Sequence, residues 1–306
     1  MAKTLAPELT LQPAPGAAPA VAPRGVDPAA VGLVLGGMFS VHFGAGVAAL
    51  LFPRAGVVGV LAMRLGFSAL VLLLVARPRL RGYTRRDWTA VLAFGAVLAL
   101  MNGIFYQAVD RIPLGAAVTL EVLGPLTLSV VGSRRLLSAL WAGLALVGVV
   151  LLGQSSFTAT GFDTDGLIGM ACALLAGVFW ACYILLSARV GGRFPKADGL
   201  ALSLGVAALL TLPVGVVGAG GALLHPVTLA LGLAVGVLSS LVPYMLDLFA
   251  LRRLASSTFA ILQALSPAIA AGAAFVVLRQ ALTATDLLAM ALVITASAGA
   301  VRTARR

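Results

Sequence analysis

Three charged side chains lie inside long apolar runs of this chain: Arg64, Glu121 and Asp247. At the centre of a bilayer each would cost about 3 kcal/mol even on lenient insertion scales, so each needs a partner or a water-filled cavity. Counted from the ends of their runs, Arg64 lies eight residues in and Glu121 seven, which is about 11 Å at 1.5 Å per residue. His42 and Asn102 fall at nearly the same depth, so the four would make one polar layer if their helices face one another. In that layer Arg64 could hold a carboxylate while Glu121 meets an ammonium group or carries a proton. Equally, the two could close on each other as a structural ion pair that locks two helices. Pro125, four residues after Glu121, shares its face; its missing N–H either frees a backbone carbonyl for binding or simply kinks the helix. His42 is either a hydrogen-bonded packing residue or a proton carrier.

The second half of the chain offers a thinner set. Asp247 stands about four residues from the end of its run, near Arg252 and Arg253. It is either a helix-end ion pair or a proton-coupling group. Trp180 and Tyr183, three apart on one helical face, line a cavity or belong to an interfacial aromatic belt. Gln263, polar at mid-run, hydrogen-bonds across helices or faces the cavity.

The elements that must position these groups are set by hydropathy. Hydrophobic residues make up 61% of the 306 and charged residues 10%, with a mean hydropathy of +1.08, which places the chain in a bilayer. Spans are expected over 29–50, 56–76, 88–109, 114–132, 136–153, 166–187, 199–218, 228–251, 256–277 and 283–301, each close to the length that crosses the hydrocarbon core. Residues 1–28, rich in Ala and Pro, read as a disordered cytoplasmic tail. Small-xxx-small pairs such as Gly32/Gly36 and Gly232/Gly236 signal close helix packing. With both termini cytoplasmic, 17 of the 21 cations fall inside, and three (Arg54, Arg111, Arg279) fall outside. That split follows the positive-inside rule, so the net charge of +11 reports orientation and not nucleic-acid binding.

One pattern occurs twice. RIPLGAAVTLEVLGP, 111–125, returns as RLASSTFAILQALSP, 253–267, at an offset of 142. The copies open the fourth and ninth spans, five apart, and so cross in opposite directions. The fold expected is an all-α membrane protein of ten transmembrane helices in two inverted five-helix repeats, 29–153 and 166–301, joined by the outer loop 154–165. That is the build of a secondary transporter with its site between the halves. No Walker loop, HExxH or paired nucleophile supports catalysis. Cys172 and Cys182, about 15 Å apart on one helix, read as packing residues, and no metal cluster or cofactor motif is present.

The stretches FYQAVDRIPLGAAVTLEVLGPL (105–126), GVFWACYILLSARV (177–190) and LSSLVPYMLDLFALRRLASSTFAIL (238–262), with SVHFGAGVAALLFP (40–53) and MRLGFSAL (63–70), resemble the EamA-type drug/metabolite transporters. Within that superfamily they are similar to the bacterial threonine/homoserine exporters; PLG…LE…GP followed by SRR, 113–135, is the most specific part. The resemblance covers 30–301. It implies a ten-helix inner-membrane protein exporting small amino acids or related metabolites against protons. It further implies that Arg64, Glu121, Tyr183 and Tyr244 are characteristic positions. The chain departs from the pattern at Ser266, where an acidic residue is usual, at Arg279-Gln280 in place of Gly-Glu, and at Asp247, where a glutamate is common. The expected partners are a small-molecule substrate, protons and lipid, with a homodimer left open. Export of other metabolites or organic cations, or a passive channel or non-transporting scaffold, are the alternatives to set against it.

Overall fold

The computed structural model describes residues 27–127, 140–151, 164–195, 197–251, 253–254, 259 and 262–303. Of the tail expected over 1–28, residues 1–26 lie outside the described residues, while Asp27 caps and Pro28 opens the first helix. Of the loop expected over 154–165, residues 154–163 lie outside and Thr164 and Asp165 are helical. Arg134, Arg135, Lys196, Arg252, Arg305 and Arg306 among the counted cations also lie outside. Every regular element among the described residues is helical. They are α1 (Pro28–Ala76), α2 (Arg85–Val109), α3 (Leu114–Glu121), α4 (Leu140–Leu151), α5 (Thr164–Gly191), α6 (Asp198–Ala219), α7 (Pro226–Gly236), a π turn (Val237–Leu241), α8 (Val242–Leu251), α9 (Ser266–Leu278) and α10 (Ala284–Thr303). By length and composition five segments can cross a membrane: Pro28–Ala76, Arg85–Val109, Thr164–Gly191, Asp198–Leu224 and Pro226–Asp247. Shorter apolar helices accompany them. Leu74, Leu209 and Val217 are 64%, 72% and 88% exposed, which suits contact with lipid chains and not with water.

The loop expected over 51–55 is helical; α1 turns at one residue, Gly56, with φ 66° and ψ 163°. Glycine alone adopts that conformation without strain. On a straight helix Ser40 and Ser68 would be about 42 Å apart, yet their hydroxyls reach the carbonyls of Leu238 and Gly236, two residues apart. α1 is therefore a hairpin whose two arms flank the π turn. Its second arm also packs on α6, where a Cβ at Gly59 would lie 2.7 Å from Ala219.

α2 and α5 run antiparallel and are tied at both ends. Arg193 Nη1 donates to Arg86 O at 3.1 Å and lies 3.7 Å from Asp87. At the other end Arg111 Nε donates to Asp165 Oδ1 at 3.1 Å. Arg253, expected beside Asp247, instead has Nη1 3.9 Å from Asp27 at the N-cap of α1. Arg279-Gln280 finds a structural use: Gln280 Oε1 accepts the Leu114 N–H that opens α3, and Arg279 ends α9 in the left-handed region, φ 57°. A glycine would hold that cap more cheaply.

Candidate functional site

The site forms where α7 gives way to α8. Pro243 lacks the N–H that would close the helical bond to the Ser239 carbonyl, and its ring crowds that carbonyl. The helix widens into the π turn, with Val242 N–H bonded back to Val237 O. Two backbone acceptors, Leu238 O and Ser239 O, thereby lose their usual donors. Side chains from α1 take their place. Ser40 Oγ donates to Leu238 O at 2.7 Å and Arg64 Nη2 to Ser239 O at 3.0 Å. Beside them, Arg64 Nε donates to Ser240 Oγ at 3.3 Å and Ser68 Oγ to Gly236 O at 3.0 Å. Gly44 allows the close approach: a Cβ there would collide with the Ser239 hydroxyl.

Arg64 is 5% exposed, and its guanidinium carbon lies 5.3 Å from the centre of the Tyr106 ring, a cation–π contact. Tyr106 is fully buried and packs its ring 5.4 Å from Phe52. Its hydroxyl, the Ser239 hydroxyl and His42 Nε2 are buried with no hydrogen-bond partner among the described residues. Around Arg64 stand the other charged and phenolic groups. Glu121 and Tyr244 both feel its field. Tyr244 in turn interacts with Asp247 and Tyr106, and Tyr183 with Tyr244 and Asp247. Arg64, Glu121, Tyr183, Tyr244 and Asp247 thus share one electrostatic neighbourhood, built from both halves of the chain.

Arg64 and Glu121 are not within ion-pair distance. Among the described residues the half-buried Glu121 side chain has no hydrogen-bond or ion-pair partner. Asp247 is likewise unpaired, its Oδ1 resting near Gly37 on the first arm of α1. The carbonyl that Pro125 frees, Glu121 O, is pressed against α5: a Cβ at Gly177 would lie 2.5 Å from it, and one at Gly124 would strike Gly177 O. Alanine at Gly177 is therefore expected to push α3 from α5 and move Glu121, cutting transport at least about tenfold with a lower melting temperature. Thermal unfolding and uptake assays on Gly177→Ala check this.

The remaining expected residues are placed less centrally. Asn102 Nδ2 donates to Leu98 O of its own helix at 2.8 Å and is buried. His42 is buried on α1 without a bond to Arg64. Trp180 packs half-buried against the main apolar core, and Tyr183 stacks 5.3 Å from Phe94. Gln263 Oε1 accepts from Ser266 Oγ at 3.4 Å. Of the polar layer expected of Arg64, Glu121, His42 and Asn102, Glu121 stands in the field of Arg64, while the hydrogen bonds of Arg64 run to the other half of the chain. Tyr106, Ser239 and Ser240 were not singled out from sequence. Pro243, four residues after Ser239 as Pro125 is after Glu121, was the legible sign.

The model of the EamA-like transporter family matches residues 167–302. The chain is 39% identical over 269 residues to the threonine/homoserine exporter RhtA of Salmonella typhimurium (strain LT2), covering 88% of this chain and 90% of the relative. It is 38% identical over 274 residues to the threonine/homoserine exporter RhtA of Escherichia coli (strain K12), covering 90% and 92%. One solved crystal structure aligns with a TM-score of 0.59 at 21% identity, over 90% of this chain and 98% of that one, a likeness of fold alone.

Proposed function

The chain belongs to the EamA-like transporter family, and from that membership we propose that it exports small amino acids of the threonine/homoserine kind by proton antiport. As a member of a transporter family it is a transport protein and not an enzyme. The observation that carries the substrate class is the site's charge layout. Arg64 is buried, the Glu121 carboxyl stands in its field, and the Asp247 carboxyl is linked to them through Tyr244. Among the described residues none of the three is ion-paired, so groups able to carry charge of both signs are open to a partner. A zwitterion supplies both: its carboxylate meets Arg64 and its ammonium meets Glu121 or Asp247. The carboxylate left free is the group that takes up the counter-transported proton.

We place the protein in the bacterial inner membrane with ten spans, both termini cytoplasmic, and inverted repeats over 29–153 and 166–301. The two arms of α1 are spans one and two. Beyond the doubled motif, a pair of ion pairs supports the symmetry. Arg111 of the first half bonds Asp165 at the start of the second, and Arg253 of the second half lies beside Asp27 at the start of the first. The arginines are 142 residues apart and the aspartates 138.

Inside-out vesicles carrying the protein are expected to accumulate labelled threonine or homoserine when a proton gradient is imposed, with saturation and counterflow. Failure of both amino acids to accumulate would overturn the substrate assignment. Linear, unsaturable flux would indicate a channel. An organic-cation exporter is disfavoured because Arg64 already covers a face of Tyr106 that a cation would use; quaternary ammonium binding unaffected by Arg64→Ala would revive it.

A further inference from the structure

Arginine presents five N–H donors in a rigid planar fork, and a carboxylate can approach it by its Nε/Nη2 edge or by its Nη1/Nη2 end. In this protein the first approach is taken. Nε is bonded to Ser240 Oγ and Nη2 to Ser239 O, while the Tyr106 ring covers a face of the fork. The Nη1 end has no bonded partner among the described residues. We propose that Ser240, together with the Ser239 carbonyl, is a positioning element for substrate binding: it fixes the Arg64 fork so that only the Nη1/Nη2 end meets the substrate carboxylate. The reading rests on Arg64 binding a carboxylate, as proposed above.

The arrangement explains why a π turn is kept there. An α-helical Ser239 carbonyl would be satisfied within its own helix and could not hold an arginine; Pro243 and the π turn leave it available. Ser240 then adds the second point that a planar fork needs, since one bond leaves the guanidinium free to swing. Ser239 and Ser240 are 1% and 0% exposed, so neither hydroxyl competes for the substrate; Ser240 Oγ and the Ser239 carbonyl act through Arg64. The two points come from the second half and the arginine from the first. The carboxylate subsite is therefore complete only while the halves are docked at this turn.

The test compares Ser240→Ala, Ser240→Thr and the parent protein in proteoliposomes loaded with labelled threonine. Competition is measured with threonine and with its carboxylate-free alcohol analogue. For Ser240→Ala the apparent KM for threonine is expected to rise about tenfold, the effect of one lost hydrogen bond to a charged group, with kcat changed less than about twofold. The alcohol analogue, which does not use Arg64, should compete as it does against the parent. Ser240→Thr, which keeps the hydroxyl, should restore the KM. An equal loss for threonine and for the alcohol, a fall in kcat at unchanged KM, or failure of Ser240→Thr to restore the KM would each overturn the proposal. If the parent protein neither transports nor binds threonine or homoserine, the substrate assignment itself fails, and this inference falls with it.

Discussion

Arg64→Ala is expected to abolish transport, to less than about 1% of the parent rate, and to destabilise the fold at the same time. Two buried acceptors, Ser239 O and Ser240 Oγ, lose their donor, at about 1–3 kcal/mol each. The contact with Tyr106 goes too, worth about 0.5–2 kcal/mol. A drop in melting temperature of the detergent-solubilised protein, measured beside transport, reports the structural part. Arg64→Lys separates the two parts. A lysine ammonium keeps the charge and can reach one of the acceptors, so most of the folded protein should return. It has no planar fork, however, and cannot hold both Ser239 and Ser240 while presenting a two-donor end to a carboxylate. Its affinity for threonine is expected to stay about tenfold or more below the parent's. Wild-type transport by Arg64→Ala would remove this residue from the site.

Glu121→Gln should give the opposite combination, lost transport in a protein that folds normally. The Glu121 side chain has no hydrogen bond or ion pair among the described residues, so an uncharged isostere breaks nothing that holds α3 in place. What it removes is an ionisable carboxyl in the field of Arg64, and with it the capacity to exchange a proton. A loss of about 100-fold in proton-driven export is expected, equivalent to about 2.7 kcal/mol. The melting temperature should shift by less than about 2 °C. Export measured against imposed pH gradients, with folded protein quantified in the same membranes, checks both halves. If Glu121→Gln failed to fold, the residue would be holding the structure together and the functional assignment would be lost. Retained folding with retained export would move the coupling role to Asp247, the other unpaired carboxylate of the site.

Much of this protein is legible in its sequence because the bilayer acts on each residue by itself. A charged or polar group inside an apolar run is conspicuous wherever the chain carries it, which is why Arg64, Glu121 and Asp247 stand out by composition alone. The helical class follows from the same constraint, since lipid offers no partner for unpaired backbone groups. The hairpin of α1 is nearly legible: hydropathy sets two spans with a turn over 51–55, whereas the chain stays helical through Pro53 and reverses at Gly56.

Sequence alone did not determine which group meets which. Depth counting placed Arg64 with Glu121, His42 and Asn102, all in the first half. The fold instead carries Arg64 to Ser239 and Ser240, about 175 residues along the chain, and leaves Asn102 bonded within its own helix. Depth fixes only the distance along the membrane normal. Rotation of each helix about its axis and its choice of neighbours are set by contacts such as Gly44 against Ser239 and Gly124 against Gly177, which exist only once the halves are packed. The sequence by itself determined that charges are buried and roughly how deep. The tertiary structure decided that the arginine is clamped by a proline-opened turn of the opposite half while neither carboxylate has an ion-pair partner among the described residues, because pairing depends on how helices face one another and burial cost does not.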